Sequence, residues 1–184
     1  KTGKLIRLVP DLYVAWHAGK SSWKNEKSLN YSSIGIEISN PGHEHGYKEF
    51  NNNQIKCLIQ ILKILIKKYK INKKNILGHS DIAPLRKLDP GEKFPWKTLS
   101  QKKIGLWHKI NTRKLKIYRG KILKIKTKKF LNYLKKFGYS VEYNNSKELI
   151  KIIKIFQMRF RPELVDGKID LECFEIIKSL NNLK

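Results

Sequence analysis

His79 and Asp89 lie ten residues apart, in Gly78-His79-Ser80-Asp81-Ile82-Ala83-Pro84 and the Arg86-Lys87-Leu88-Asp89-Pro90-Gly91 run that follows. Imidazole and carboxylate are both donor types that hold zinc. Lys87, two residues before Asp89, is a cation suited to stabilising developing negative charge. Pro84, Pro90 and Gly91 restrict the backbone, so these side chains sit on a defined scaffold rather than on a mobile surface segment. Glu37 adds a carboxylate on a different segment and suits general acid/base work. Such a set is what a zinc hydrolase needs. The metal polarises an amide carbonyl and lowers the pKa of a bound water, the Glu moves that proton to the leaving nitrogen, and the Lys steadies the oxyanion. A catalytic zinc usually takes three protein ligands, and the sequence offers two good ones. Taken singly, each residue has a plainer reading: Glu37 turned to water, His79 structural at a strand end, Lys87 and Asp89 in a solvated charged loop. The combination carries the argument. A second cluster, Trp16-His17-Ala18-Gly19, could line a groove for a sugar–peptide ligand; its alternative is a buried Trp and a hydrogen-bonded His. His43, His45 and His108 fall in loops and are expected to be solvated.

Several elements must position these groups. Residues 5–9 and 13–17 read as two strands about a turn at Pro10-Asp11. Residues 33–39 read as a third, with Ile34, Ile36 and Ile38 on a core face and Glu37 on the other. Asn51-Asn52-Asn53 is a polar cap cluster. It precedes a helix with Ile55, Leu58, Ile59, Leu62, Leu65, Ile66 and Tyr69 at helical spacing. Residues 76–79 read as a fourth strand. The expected fold is α/β, a mixed β-sheet flanked by helices, spanning residues 1–108. A Lys-rich connector is expected at 109–129. Three helical patterns then make a small module over 130–184. The first runs from Phe130 to Phe137 and stops at Gly138. The second is capped by Ser146 and runs to about Arg159, with Leu149, Ile150, Ile153 and Phe156 on one face and Pro162 at its end. The third is capped by Asp170 and carries Phe174, Ile177 and Leu180.

The 184 residues hold 40 basic and 15 acidic side chains, a formal net charge of +25. That excess invites a nucleic-acid reading. Only six of the basic residues are Arg, whereas phosphate-forking and base-reading sites favour Arg over Lys. Abundant Lys, Ile and Asn are also what AT-rich codons produce. No specific nucleic-acid partner is therefore expected, although attraction to an anionic polymer is. No apolar run approaches the ~20 residues of a spanning helix. Cys57 and Cys173 form no CxxC pair and are expected to be buried free thiols.

Five segments occur in the order found in zinc-dependent N-acetylmuramoyl-L-alanine amidases, the family shared with peptidoglycan recognition proteins: Ala15-Trp16-His17-Ala18-Gly19, Ser33-Ile34-Gly35-Ile36-Glu37-Ile38, the two motifs around His79 and Asp89, and Phe94-Pro95-Trp96. Phe156-Gln157-Met158-Arg159-Phe160-Arg161-Pro162 and Asp166-Gly167 resemble the C-terminal peptidoglycan-binding module of one bacterial branch. The resemblance implies zinc on His79 and Asp89, Glu37 as acid/base, Lys87 stabilising the transition state, and Trp16 and His17 in the wall of the substrate groove. It implies cleavage between the lactyl group of N-acetylmuramic acid and L-alanine, muramyl peptides of peptidoglycan as partners, a monomer, and a periplasmic or cell-envelope location. The family places its first zinc His on a core strand upstream of the segment resembling Leu8-Val9-Pro10. The sequence begins at Lys1-Thr2-Gly3, without Met, apolar leader or lipid-accepting Cys, so that strand and ligand are expected to be missing from it. A non-catalytic peptidoglycan-binding protein is the alternative.

Overall fold

In the computed structural model, residues 3–122 and 127–183 are described. The helices form where caps and apolar spacing coincide. Helix α1 (Asn52–Tyr69) begins at a reciprocal cap. There the Asn51 side chain accepts the Asn53 N–H at 2.8 Å, and the Gln54 side chain accepts the Asn51 N–H at 3.0 Å. Both bonds satisfy amides the helix itself leaves unpaired. The face read from the sequence is the one α1 buries, with Leu58 and Leu65 innermost, except that Tyr69 at its end is exposed. Leu58, Ile76, Phe94, Trp96, Leu99 and Ile104 form the smaller of two cores.

Short helices follow: α2 (His79–Ile82), α3 (Trp96–Gln101) and α4 (Thr112–Tyr118). Helix α4 lies inside the stretch read as a connector. Helix α5 (Thr127–Phe137) also starts inside it, three residues before Phe130. Helix α6 (Ser146–Phe160) is capped by Asn145, which accepts the Glu148 N–H at 3.0 Å. The expected cap, Ser146, is instead the first helical residue, because the Asn one position earlier reaches the free amide. Helix α7 (Leu171–Asn181) is capped by Asp170, which accepts the Cys173 N–H at 2.9 Å. Phe130, Leu134, Ile152, Ile155, Phe156, Ile176 and Ile177 fill the larger core. Ile150, expected on the buried face of α6, is exposed. Cys173 is buried and Cys57 half-buried, both as free thiols.

The larger core reaches back to the N-terminal half. Strands β1 (Ser22–Trp23) and β2 (Glu26–Lys27) form an antiparallel pair in which Trp23 opposes Glu26. The Trp23 ring packs edge-on against Phe137 at 5.8 Å and Tyr139 at 5.2 Å. Among the described residues this is the whole sheet. The four strands expected at 5–9, 13–17, 33–39 and 76–79 are not formed. Alternating side chains make a segment fit for a sheet, but a ladder also needs a neighbour offering backbone groups in register, and no ladder joins these segments to another. Leu5, Ile6 and Leu8 are accordingly exposed, as is Ile34, while Ile36 and Ile38 pack on the smaller core. Among the described residues no helix is long and apolar enough to cross a membrane.

His108, expected in solvent, is buried beside the Trp107 ring at 5.0 Å. Loss of solvent drives its pKa down to about 4, Lys97 adds to the drop, and Glu163 opposes it. The unfolded chain binds this proton below pH ~6.5 and the folded chain refuses it until about pH 4, so stability falls as pH drops through that window. The shift corresponds to about 3 kcal/mol at its fullest. Thermal melts between pH 7 and pH 4 are expected to decline less steeply for His108→Gln than for the unaltered chain.

Candidate active site

A cavity of about 720 Å³ opens between α1, residues 33–38 and the loops around residues 16–19 and 78–90. Trp16, His17, Glu37, His79, Lys87 and Asp89 all border it. Segments far apart in sequence thus bring the six candidate residues to one space. Part of its wall is apolar, formed by Leu58, Leu62, Leu65, Phe94 and Leu99.

His79 is the first residue of α2, not the end of a strand. Its Nδ1 lies 3.2 Å from Asp89 Oδ2, and its Nε2 lies 3.2 Å from the Ala18 carbonyl. Two close approaches hold the pair together. Ser80 donates its N–H to the Asp89 carbonyl at 2.8 Å. A Cβ on Gly78 would come within 2.7 Å of the Pro90 ring, so only glycine lets α2 sit this near the loop. Burial raises the Asp89 pKa, but the His79 hydrogen bond and charge, its own backbone N–H and Lys87 outweigh it, and the carboxyl titrates below its ordinary value.

Zinc bonded to N and O at about 2.0–2.1 Å in a tetrahedron separates adjacent donors by about 3.3 Å. The 3.2 Å spacing of His79 Nδ1 and Asp89 Oδ2 fits two neighbouring vertices. Among the described residues no group of three or more His, Cys, Asp or Glu is placed to hold a metal ion. His17 does not complete the set. Its Nδ1 donates to the Ala15 carbonyl at 2.8 Å and its Nε2 meets the Ser33 hydroxyl at 2.9 Å. Its ring lies so close on Gly35 that a Cβ there would come within 2.5 Å. Trp16 is 78% exposed, edge-on to Tyr31 at 6.0 Å. Its indole is offered to the cavity rather than buried.

Sequence reading missed the residues that brace these loops. Arg86 donates from Nη2 to the Ala18 carbonyl at 2.7 Å and the Lys20 carbonyl at 3.0 Å, which ties the Trp16–His17 loop to the loop carrying Lys87. The Tyr47 hydroxyl donates to the Pro90 carbonyl at 2.6 Å and accepts the Lys93 N–H at 3.0 Å. Burial pushes its pKa up to about 12, so it stays a donor. His43 is exposed, as expected, and lies 2.9 Å from Glu92. For Arg86 a signal existed: an Arg in so Lys-rich a chain marks a place where a planar fork can be used.

The family model described as N-acetylmuramoyl-L-alanine amidase matches residues 1–92. N-acetylmuramoyl-L-alanine amidase AmiD of Escherichia coli (strain K12) is 37% identical over 96% of this chain and 67% of its own length. The chain belongs to the N-acetylmuramoyl-L-alanine amidase family. The 1,6-anhydro-N-acetylmuramyl-L-alanine amidase AmpD of Enterobacter cloacae is 38% identical to this family member over 52% of the chain and 49% of the relative. The solved complex of Escherichia coli AmiD with anhydro-N-acetylmuramic acid-L-Ala-D-gamma-Glu-L-Lys superposes with a TM-score of 0.85, covering 96% of this chain and 72% of AmiD. AmpDh3 of Pseudomonas aeruginosa in complex with an anhydromuramic pentapeptide superposes with a TM-score of 0.82 at 34% identity, over the same shares. At these identities the likeness covers both the α/β half and the helical half, so the amidase-family fold is that of the chain as a whole despite its short sheet.

Proposed function

We propose that the chain hydrolyses the amide between the lactyl group of N-acetylmuramic acid and L-alanine in muramyl peptides of peptidoglycan, with zinc held on His79 and Asp89. The gathering of Glu37, Lys87, His79 and Asp89 on one cavity is the observation that supports it. Zinc, when bound, supplies Lewis-acid polarisation of the scissile carbonyl and a water acidic enough to ionise near neutrality. The remaining work falls to the chain. Glu37 takes the proton of the attacking water and returns it to the departing nitrogen of L-alanine. Lys87 offers its ammonium to the negative charge that develops on the former carbonyl oxygen. Trp16 presents an exposed indole face for the sugar, and His17, fixed by Ala15 and Ser33, forms the adjoining wall. The helical half, residues 130–184, holds peptidoglycan near the site. The substrate places the protein in the periplasm or cell envelope, acting as a monomer.

The test is peptide release from anhydro-N-acetylmuramyl tripeptide. Release that a chelator abolishes and added zinc restores is the expected result; no release by the zinc-loaded chain overturns it. One observation favours the second reading, a binding protein without activity: among the described residues no third metal donor joins His79 and Asp89. Co-sedimentation with intact sacculi in the absence of release would establish that reading instead.

A further inference from the structure

We propose that Tyr139 and Arg159, both in the C-terminal half, are positioning residues for the His79–Asp89 pair and act through Asp81. Helix α2 is a single turn, four residues long, and a lone turn has no stability of its own. Its orientation, and with it that of His79, is set by what grips it. Asp81 is the grip point. Its Oδ2 accepts the Gly78 N–H at 2.7 Å and also faces Nη1 of Arg159, while its Oδ1 accepts the Tyr139 hydroxyl. Arg159 reaches further, donating from Nη2 to the Ile76 carbonyl at 2.8 Å. One guanidinium therefore clamps the chain on both sides of His79. Its Cζ lies over the Trp96 ring, 4.2 Å from the ring centre, which fixes the fork. Asp81, Tyr139 and Arg159 are all almost fully buried, so water offers no substitute partner.

Two features separate this from ordinary core adhesion. The contacts converge on Asp81, two residues from His79, rather than spreading along the interface. They also come from two separate elements, the turn after α5 and the last turn of α6. Arg159 belongs to the stretch that resembles a wall-binding module. Its burial means that it serves the site's geometry and not a polymer at the surface.

The inference rests on the proposed reading of His79 and Asp89 as ligands, and its test separates the two. Tyr139→Phe removes a single hydroxyl, and Arg159→Met removes the fork while filling its space. Cys173→Ala, in the core of the helical half away from α2, is the comparison for loss of stability alone. The imidazole resonances of His79 are recorded in the metal-free full chain, and zinc affinity is measured by chelator competition. Tyr139→Phe and Arg159→Met are expected to shift the His79 resonances and to weaken zinc binding about 10–100-fold, as loss of groups orienting a ligand does. Cys173→Ala is expected to lower the melting temperature with both readouts unmoved. Wild-type resonances and wild-type zinc affinity in Tyr139→Phe would overturn the proposal, and that variant decides alone where Arg159→Met does not fold. Should the unaltered chain take up no zinc, the metal reading fails, and the metal-free His79 resonances still decide the positioning role.

Discussion

Glu37→Gln is expected to cut peptide release by about 10²–10⁴-fold, the range that positioned acid/base groups contribute, with zinc content and KM close to those of the unaltered chain. The amide matches the carboxylate in size and polarity but cannot accept the proton of an attacking water or hand it to a leaving nitrogen. Glu37 lines the same cavity as His79 and Asp89 and is an exposed residue, so the substitution leaves no buried group unpaired and should not disturb the fold. A loss confined to kcat is the signature of an interaction made only in the transition state. A variant retaining a tenth or more of the rate would remove Glu37 from the chemistry. A variant losing zinc along with activity would recast it as a ligand.

What could be read from the sequence was what local chain determines. Asn51 and Gln54 sit three residues apart and make their cap by themselves, so α1 was legible, as was α7 from Asp170. The motifs around His79 and Asp89 were legible because residue type and spacing are local. The strands were not, because residues 33–39 can show the right alternation without a neighbouring segment to pair with, and pairing is not written in the segment itself. Burial of His108 was equally hidden: nothing adjacent distinguishes a His bound for solvent from one that will lie under Trp107 and near the Phe160 backbone. The bond from Arg159 to Asp81 spans 78 residues. Its one trace is the choice of Arg in a Lys-rich chain. Of the six arginines, Arg86, Arg119, Arg159 and Arg161 each grip carboxylates or carbonyls across the fold. Four of the six scarce arginines thus mark architecture.

Arg161→Met should destabilise the chain by about 3–5 kcal/mol, the usual consequence of removing one partner from a buried ion pair. Arg161 has no exposed side-chain surface. Its Nη1 lies 2.5 Å from Asp170 and 3.6 Å from Glu172, and its Nη2 lies 2.8 Å from Asp166. Met fills much of the space but leaves the Asp170 and Glu172 carboxylates buried. Arg119 still forks Glu172, with Nε and Nη2 each at 2.8 Å, so the deficit falls on Asp170. That residue caps α7 and also accepts the Gly120 N–H at 2.9 Å. Leaving that carboxylate buried without its guanidinium strains the head of the helix whose Ile176, Ile177 and Leu180 close the larger core. For a chain of this size the melting temperature is expected to fall by roughly 6–20 °C. The partly exposed Lys178–Glu175 pair provides the contrast, with Lys178→Ala costing under about 1 kcal/mol. Arg159 and Arg161 stand two residues apart at the end of α6, yet their partners differ in kind. One fork holds the helical half together, and the other holds the turn that carries His79. Below its own melting point Arg161→Met should therefore keep the His79 resonances of the unaltered chain, whereas Tyr139→Phe should move them while the helical core remains intact. If Arg161→Met moved them as well, the two networks would be one, and the stability of the helical half could not be separated from the geometry of the site.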